Sequence, residues 1–141
     1  MDLRPIQEQD LASVTRLYLA AYRSSWAEAA ARKYLEKFYR FAPESCFVAV
    51  EPDGSPSAAI FAYTYEKEAG HVLFIQELFV HPDHRNSGYG KRLVARLRES
   101  LKGPSRVSIK PLVKADTSVL NFYNSLGFER DKAVNFSFEE D

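Results

Sequence analysis

Two groups of residues near the middle of this 141-residue chain have the types and spacing to do chemistry. One is Arg85-Asn86-Ser87-Gly88-Tyr89-Gly90-Lys91, at the mouth of a helical run. The first backbone N–H groups of a helix lack an internal partner and carry the positive end of its dipole, which makes an anion site. Gly88 and Gly90 let a ligand approach the backbone with no Cβ in the way, and Arg85, Lys91 and Arg92 add full charges. The pattern predicts a phosphate or pyrophosphate ligand. Spacing excludes two common phosphate loops. A nucleotide P-loop needs Ser or Thr after its lysine, where Arg92 stands. A dinucleotide fingerprint needs a third glycine where Leu93 stands. The other group is Gln76-Glu77, set inside the otherwise apolar run Val72–Val80. A buried carboxylate is costly without a partner or a purpose. A structural pairing with an arginine, or a solvent-facing side chain, competes there with a chemical role.

These residues need a strand, a turn and a helix in succession. Val72–Val80 is β-branched and aromatic and reads as a buried strand, stopped by Pro82. Leu93, Val94, Leu97 and Leu101 fall on one face of a helix running to Lys102. Gly103-Pro104 ends that helix and Arg106–Lys110 is strand-like, so a right-handed parallel crossover is expected. Upstream, residues 2–6 pass as an edge strand. Gln7–Tyr22 places Leu11, Val14, Leu17, Tyr18 and Ala21 at helical spacing, with Asp10 in the first turn. Ser25-Trp26-Ala27-Glu28 has the capping-box pattern of a second helix, which runs to about Arg40 with Ala30, Tyr34 and Phe38 on one face. Ser45–Val50 and Ala58–Glu66 are strands joined by the turn Pro52-Asp53-Gly54-Ser55, and Lys67–Gly70 turns the chain into Val72. Downstream, Asp116 caps a helix to Leu126, with Gly127 at its end. Short strands around Phe128–Arg130 and Val134–Phe138 close the chain. The predicted fold is one α/β domain over residues 1–141. Its central sheet is mixed and mostly antiparallel, with helices on both faces, in the order β-α-α-β-β-β-α-β-α-β-β.

An apolar content of 45% and a charged content of 27% are those of a soluble domain that can bury a core. The formal net charge of zero argues against a nucleic-acid or acidic-membrane partner. The basic helix after Gly90 keeps a weak nucleic-acid reading in view, although no reader motif accompanies it. Cys46, the sole cysteine, can form no intramolecular disulfide and reads as a buried, inert thiol. His71, His81 and His84 complete no ligand spacing, so they read as solvated loop histidines and no metal is expected. The start carries no signal-peptide pattern and no run approaches membrane-spanning length, so a cytoplasmic, membrane-free protein is the default expectation.

The pattern Arg85-x-x-Gly88-x-Gly90, directly after Val80-x-Pro82, resembles the acetyl-CoA signature of the GNAT N-acetyltransferase superfamily. Asn121-Phe122-Tyr123-Asn124-Ser125-Leu126-Gly127-Phe128 is similar to that family's C-terminal tyrosine, glycine and aromatic motif. The element order fits across nearly the whole chain. The resemblance implies an acetyltransferase moving an acetyl group from acetyl-CoA to a primary amine of a small molecule, peptide or protein, by direct transfer in a ternary complex. A catalytically weak acyl-CoA-binding regulatory module is the alternative, kept alive by Gln76 and Asp116. A homodimer is left open.

The resemblance also implies roles. Arg85, Asn86, Ser87, Gly88, Tyr89, Gly90 and Lys91 would hold the pyrophosphate, and the backbone of Leu78, Phe79 and Val80 would pair with the pantetheine arm like an added strand. Phe122 and Asp116 would lie at the cofactor, although relatives often carry Asn where Asp116 stands. Similar proteins place a catalytic carboxylate either at the position of Glu77 or one residue earlier, here Gln76, which takes no proton. Neighbouring strand residues face opposite sides, so the two positions are not interchangeable unless a bulge intervenes. Tyr123 would reprotonate the CoA sulfur, against the alternative of a core aromatic flanked by Phe122 and Phe128. Tyr22, Trp26 and Gln76 would meet the acceptor, Tyr18 shares their neighbourhood, and Tyr34 reads as core packing.

Overall fold

The computed structural model describes residues 1–68, 70–101, 107–109, 116–131 and 136–140. Strands β1 (Asp2–Pro5), β2 (Cys46–Val50), β3 (Pro56–Lys67) and β4 (Gly70–Val80) form an antiparallel meander. Strand β5 (Val107–Ile109) joins the far edge parallel to β4, as the strand–helix–strand order requires; Arg106 and Lys110, the ends of the expected strand, lie outside the described residues. Helices α1 (Leu11–Ala21) and α2 (Glu28–Phe41) fall between β1 and β2, α3 (Tyr89–Glu99) follows β4, and α4 (Thr117–Ser125) follows β5.

Alternation along the strands divides the interior into two cores. Leu11, Val14, Leu17 and Leu35 from α1 and α2 pack on Val48, Ala59, Phe61 and Phe79. Leu93, Val94 and Leu97 from α3, with Tyr123 from α4, pack on Phe47, Ile60, Leu73 and Ile75. The strands are apolar at successive positions because both faces are covered.

The first helix starts later than its periodicity suggests. A short 3-10 turn, Glu8–Asp10, precedes α1. Arg4 grips Asp10 with both guanidinium nitrogens, at 2.7 and 2.8 Å, and the Gln7 N–H donates to the same carboxylate at 2.7 Å. The capping box expected at Ser25 does not form. Ala27 is the N-cap residue of α2 with extended backbone, and Glu28 occupies the first helical position, where the helix dipole favours it. The Ser24 hydroxyl accepts from the Trp26 N–H instead. In α2 the fully buried line is Ala31–Leu35, with Tyr34 and Phe38 on its half-buried flank.

Asp116 caps α4, accepting from the Ser118 N–H at 2.9 Å, and Gly127 follows with φ +89°. Of the two closing strands expected from sequence, Phe128–Arg130 is irregular. Residues 134 and 135 of the other lie outside the described residues, while Phe136 and Phe138 are irregular and 90% and 85% exposed. Apolar–polar alternation favours a strand only where a neighbour supplies a ladder and a face to cover.

Candidate active site

Strand β4 carries a bulge at Gln76. Phe61 pairs with Glu77 and the next β3 residue, Ala62, pairs with Ile75, so Gln76 is unmatched. The extra residue reverses the alternation of side chains. Leu73 and Ile75 point into the α3 core, whereas Phe79, two residues past Glu77, points into the α1 core. Glu77 is thereby turned onto the helix α1 and α2 side. Two phenols meet it there. Tyr22, just past the end of α1, donates to Oε1 at 2.8 Å, and Tyr34 of α2 donates to Oε2 at 2.7 Å. Gln76 Nε2 donates to the Tyr34 hydroxyl at 3.1 Å. Burial, with the Glu77 charge adding to it, pushes the Tyr22 hydroxyl far above the ordinary phenol range. Burial likewise raises Tyr34, against the opposing hydrogen bond from Gln76. Both phenols therefore stay protonated as donors. Trp26, its ring centroid 5.8 Å from that of Tyr34, stands 45% exposed above the group.

On the other side of β4 the chain enters the glycine turn. Residues Pro82–His84 make a short 3-10 turn, Asn86 adopts φ +64°, and Gly88 caps α3 at φ +83°. A Cβ built on Gly88 meets nothing within 4 Å, whereas one on Gly90 would lie 3.2 Å from the Phe122 ring. The glycines thus have different duties. Gly88 supplies the left-handed backbone beside open space, and Gly90 lets α4 approach α3. Lys91 and Arg92 are exposed in the first turn of α3. Arg85 spans to α1, donating to the carbonyl of its last residue, Ala21, at 2.6 Å. The Ser87 hydroxyl donates to the His84 carbonyl. Tyr89 turns back to β2, donating to the Glu51 carboxylate at 2.9 Å. His84 stacks on Tyr89 with its Nδ1 3.1 Å from the same carboxylate. His84 is therefore part of the loop's anchorage, not the solvated histidine expected from sequence.

Tyr123 is buried between Phe122 and Phe128, both edge-on to it. Burial, helped by the Glu77 charge, raises its hydroxyl to about 12. Among the described residues no group hydrogen-bonds that hydroxyl. Strand β5 pairs with β4 only over His71–Leu73 among those residues. The β4 edge over Leu78–Val80 therefore has no β5 partner there.

The model of the acetyltransferase (GNAT) family matches residues 11–128. The chain belongs to the GNAT acetyltransferase family. An uncharacterized N-acetyltransferase of Methanocaldococcus jannaschii is 27% identical over 145 residues, covering 94% of this chain and 62% of that protein. The chain thus spans less than two thirds of that relative's length. Among solved structures, the aminoglycoside 6'-N-acetyltransferase AAC(6')-Ig of Acinetobacter haemolyticus superposes with a TM-score of 0.75 at 23% identity, over 100% of both chains. AAC(6')-Iy, bound to the bisubstrate analogue CoA-S-monomethyl-acetylneamine, superposes at 0.71 and 19% identity, over 99% of this chain and 98% of its own. These likenesses fix the fold of a GNAT domain.

Tyr34 is a candidate for the site that the sequence reading leaves out. Its helical spacing reads as core, and its ring does pack against that core, yet its hydroxyl reaches Glu77. The sequence signal is an aromatic with a polar tip, whose ring can pack while its hydroxyl reaches a half-buried carboxylate. Cys46 is buried, and burial lifts its thiol to about 12, which removes it as a nucleophile. No group of three His, Cys, Asp or Glu residues able to hold a metal occurs among the described residues. No helix there is long and apolar enough to cross a membrane.

Proposed function

We propose that this GNAT domain transfers an acetyl group from acetyl-CoA to a primary amine, with Glu77 as the base and Tyr123 as the group facing the leaving sulfur. The observation that carries the reading is the bulge at Gln76, which sets Glu77 between the Tyr22 and Tyr34 hydroxyls. The residues present fit acetyl-CoA. The backbone at Gly88 has open space where a Cβ would stand, the free N–H groups of the α3 start lie beside Lys91 and Arg92, and the β4 edge over Leu78–Val80 can accept an extended arm.

Acetyl-CoA supplies a thioester carbonyl that a neutral amine can attack. An alkylamine with a pKa near 10 costs about 4 kcal/mol to neutralise at pH 7. Glu77 accepts that proton, directly or through one water. Tyr22 and Tyr34 fix the orientation of its two oxygens. On the sulfur side, Tyr123 works better as a hydrogen-bond donor than as a source of a fully transferred proton. Burial, which raises that hydroxyl, disfavours full loss of its proton to an alkyl thiolate. A donated hydrogen bond to sulfur, made while the carbon–sulfur bond breaks, stabilises the transition state without that cost.

The test is thiol release from acetyl-CoA by the purified protein across a panel of primary amines, with the acetylated product identified by mass. Amine-dependent release is expected. CoA binding without release from any amine would replace this reading with that of a CoA-binding module.

A further inference from the structure

We propose that Glu51 is a positioning residue for acetyl-CoA, clamping both ends of the glycine turn onto the β2–β3 hairpin. This rests on the reading of that turn as the CoA site and extends it to a residue outside the motif. Glu51 stands one residue past β2. Its N–H donates to the Ser55 carbonyl at 2.9 Å, and its own carbonyl accepts from the Gly54 N–H at 2.8 Å. The Asp53 carboxylate takes the Ser55 N–H at 2.9 Å. The backbone is therefore fixed before the side chain is used. That side chain is 15% exposed. Its Oε1 accepts from the Tyr89 hydroxyl at 2.9 Å and lies 3.1 Å from His84 Nδ1. The His84 and Tyr89 rings stack with centroids 5.5 Å apart and planes 16° from parallel. The bond to Glu51 raises the Tyr89 hydroxyl above the ordinary phenol range, so it stays a donor.

The turn between those two rings needs holding. Asn86 sits at φ +64° and Gly88 at φ +83°. Left-handed backbone at a non-glycine residue persists only where its surroundings over-determine it. Within the turn the Ser87 hydroxyl donates to the His84 carbonyl, and Arg85 ties it to the end of α1. Glu51 adds the external clamp: one carboxylate grips the residue before the turn and the residue after it. Donors held in place before binding give up less freedom when a ligand arrives. Electrostatics pull the other way, because a carboxylate near an anion site repels the ligand. A carboxylate acting through its charge alone would weaken CoA binding, whereas one acting through geometry strengthens it. The sign of the effect separates the two.

The test is calorimetry with CoA on the full chain. It is joined to rates with acetyl-CoA and with S-acetylpantetheine, which carries the thioester arm without the pyrophosphate, using an amine that supports thiol release. Glu51→Ala should weaken CoA binding by about tenfold. KM for acetyl-CoA should rise by a similar factor, with the change in KM and not kcat. The preference in kcat/KM for acetyl-CoA over S-acetylpantetheine should fall by the same factor, since the arm's place on β4 is untouched. Glu51→Gln, whose amide oxygen can stand where Oε1 does, should stay within about threefold of wild type. Should Glu51→Ala not fold, Tyr89→Phe carries the test, with a fall in that preference of roughly three- to tenfold. Equal or tighter CoA binding in folded Glu51→Ala, or in Tyr89→Phe where that stands in, would overturn the positioning role and leave the CoA site. Equal losses with acetyl-CoA and S-acetylpantetheine would also overturn it, making the clamp a general support of the fold. Absence of CoA binding by the wild-type protein would overturn the CoA reading beneath it.

Discussion

The two faces of strand β4 are built to opposite plans. On the α1 and α2 face, Glu77 has two phenol donors and an aromatic surround, and the polar groups already satisfy one another. On the α3 and α4 face, the glycine turn leaves open space at Gly88 and a Tyr123 hydroxyl that finds no protein partner among the described residues. A site for a mobile, variable amine benefits from a carboxylate held in advance, since orientation fixed before binding lowers the barrier. If the glycine turn takes an anionic ligand, as proposed above, its donors can stay bare, because water satisfies such groups until a ligand displaces it.

The sharpest way to break this contrast is Glu77→Gln, which keeps the shape and removes the base. A fall in kcat of about 10²–10⁴-fold is expected, with the acidic limb of the pH–rate profile lost and CoA affinity retained. A mutant profile that keeps the wild-type acidic limb would hand the proton to another group. Next is Tyr123→Phe. If the hydroxyl only donates a hydrogen bond to sulfur, kcat should drop by roughly 10–10²-fold, and an acetyl thioester of a more acidic thiol should recover much of it. Wild-type turnover with chemistry rate-limiting would make Tyr123 a core aromatic. Gly88→Val probes the bare face. At φ +83° a β-branched residue costs about 1–2 kcal/mol of stability, seen as a lower melting temperature. Calorimetry should show CoA affinity falling by about tenfold or more beyond that loss. Equal affinity in the folded variant would remove the turn from the CoA site.

Tyr34→Phe tests whether the crowded face is rigid by design. Losing one of two donors should cut kcat by about three- to tenfold and cost ~1 kcal/mol in urea unfolding. A neutral result would mean Tyr22 alone orients the carboxylate. The smallest effect lies far from both faces. Arg4 holds the Asp10 carboxyl below its ordinary value, opposed by burial. That stability is present above the unfolded pKa of about 3.9 and is lost as pH falls through the lower folded value. Asp10→Asn should therefore lower the urea midpoint at pH 7 and flatten its decline below about pH 4. A mutant as acid-sensitive as wild type would show that other carboxylates set the limb.

Much of this was legible in the sequence, for reasons that differ by element. The hairpin turns at Gly54 and Gly70 announce themselves because glycine there has positive φ. The parallel crossover follows from a strand–helix–strand order that topology closes in one way. The bulge at Gln76 was not readable. Its flanks are apolar on both faces, so nothing in the hydrophobic pattern records where alternation reverses. Nor could the pattern separate Ser25 from Ala27 as the start of α2, because the box spacing is correct and only the backbone of Ala27 decides. At the C-terminal end, Phe136 and Phe138 alternate with polar residues as a strand would, and alternation says nothing about a partner.

The contact between Gly90 and Phe122 ties two sequence motifs into one inherited unit. The glycine turn and the tyrosine motif are more than thirty positions apart, yet the ring of Phe122 occupies the volume that any side chain at 90 would claim. Drift in either motif is thereby conditional on the other: a larger residue at 90 becomes tolerable only in a background already smaller at 122. The same wedge blurs the reading of random mutagenesis screens. A lesion in the glycine turn, by tilting the helix that bears Tyr123, would be scored as a defect of chemistry although the tyrosine itself had not been altered.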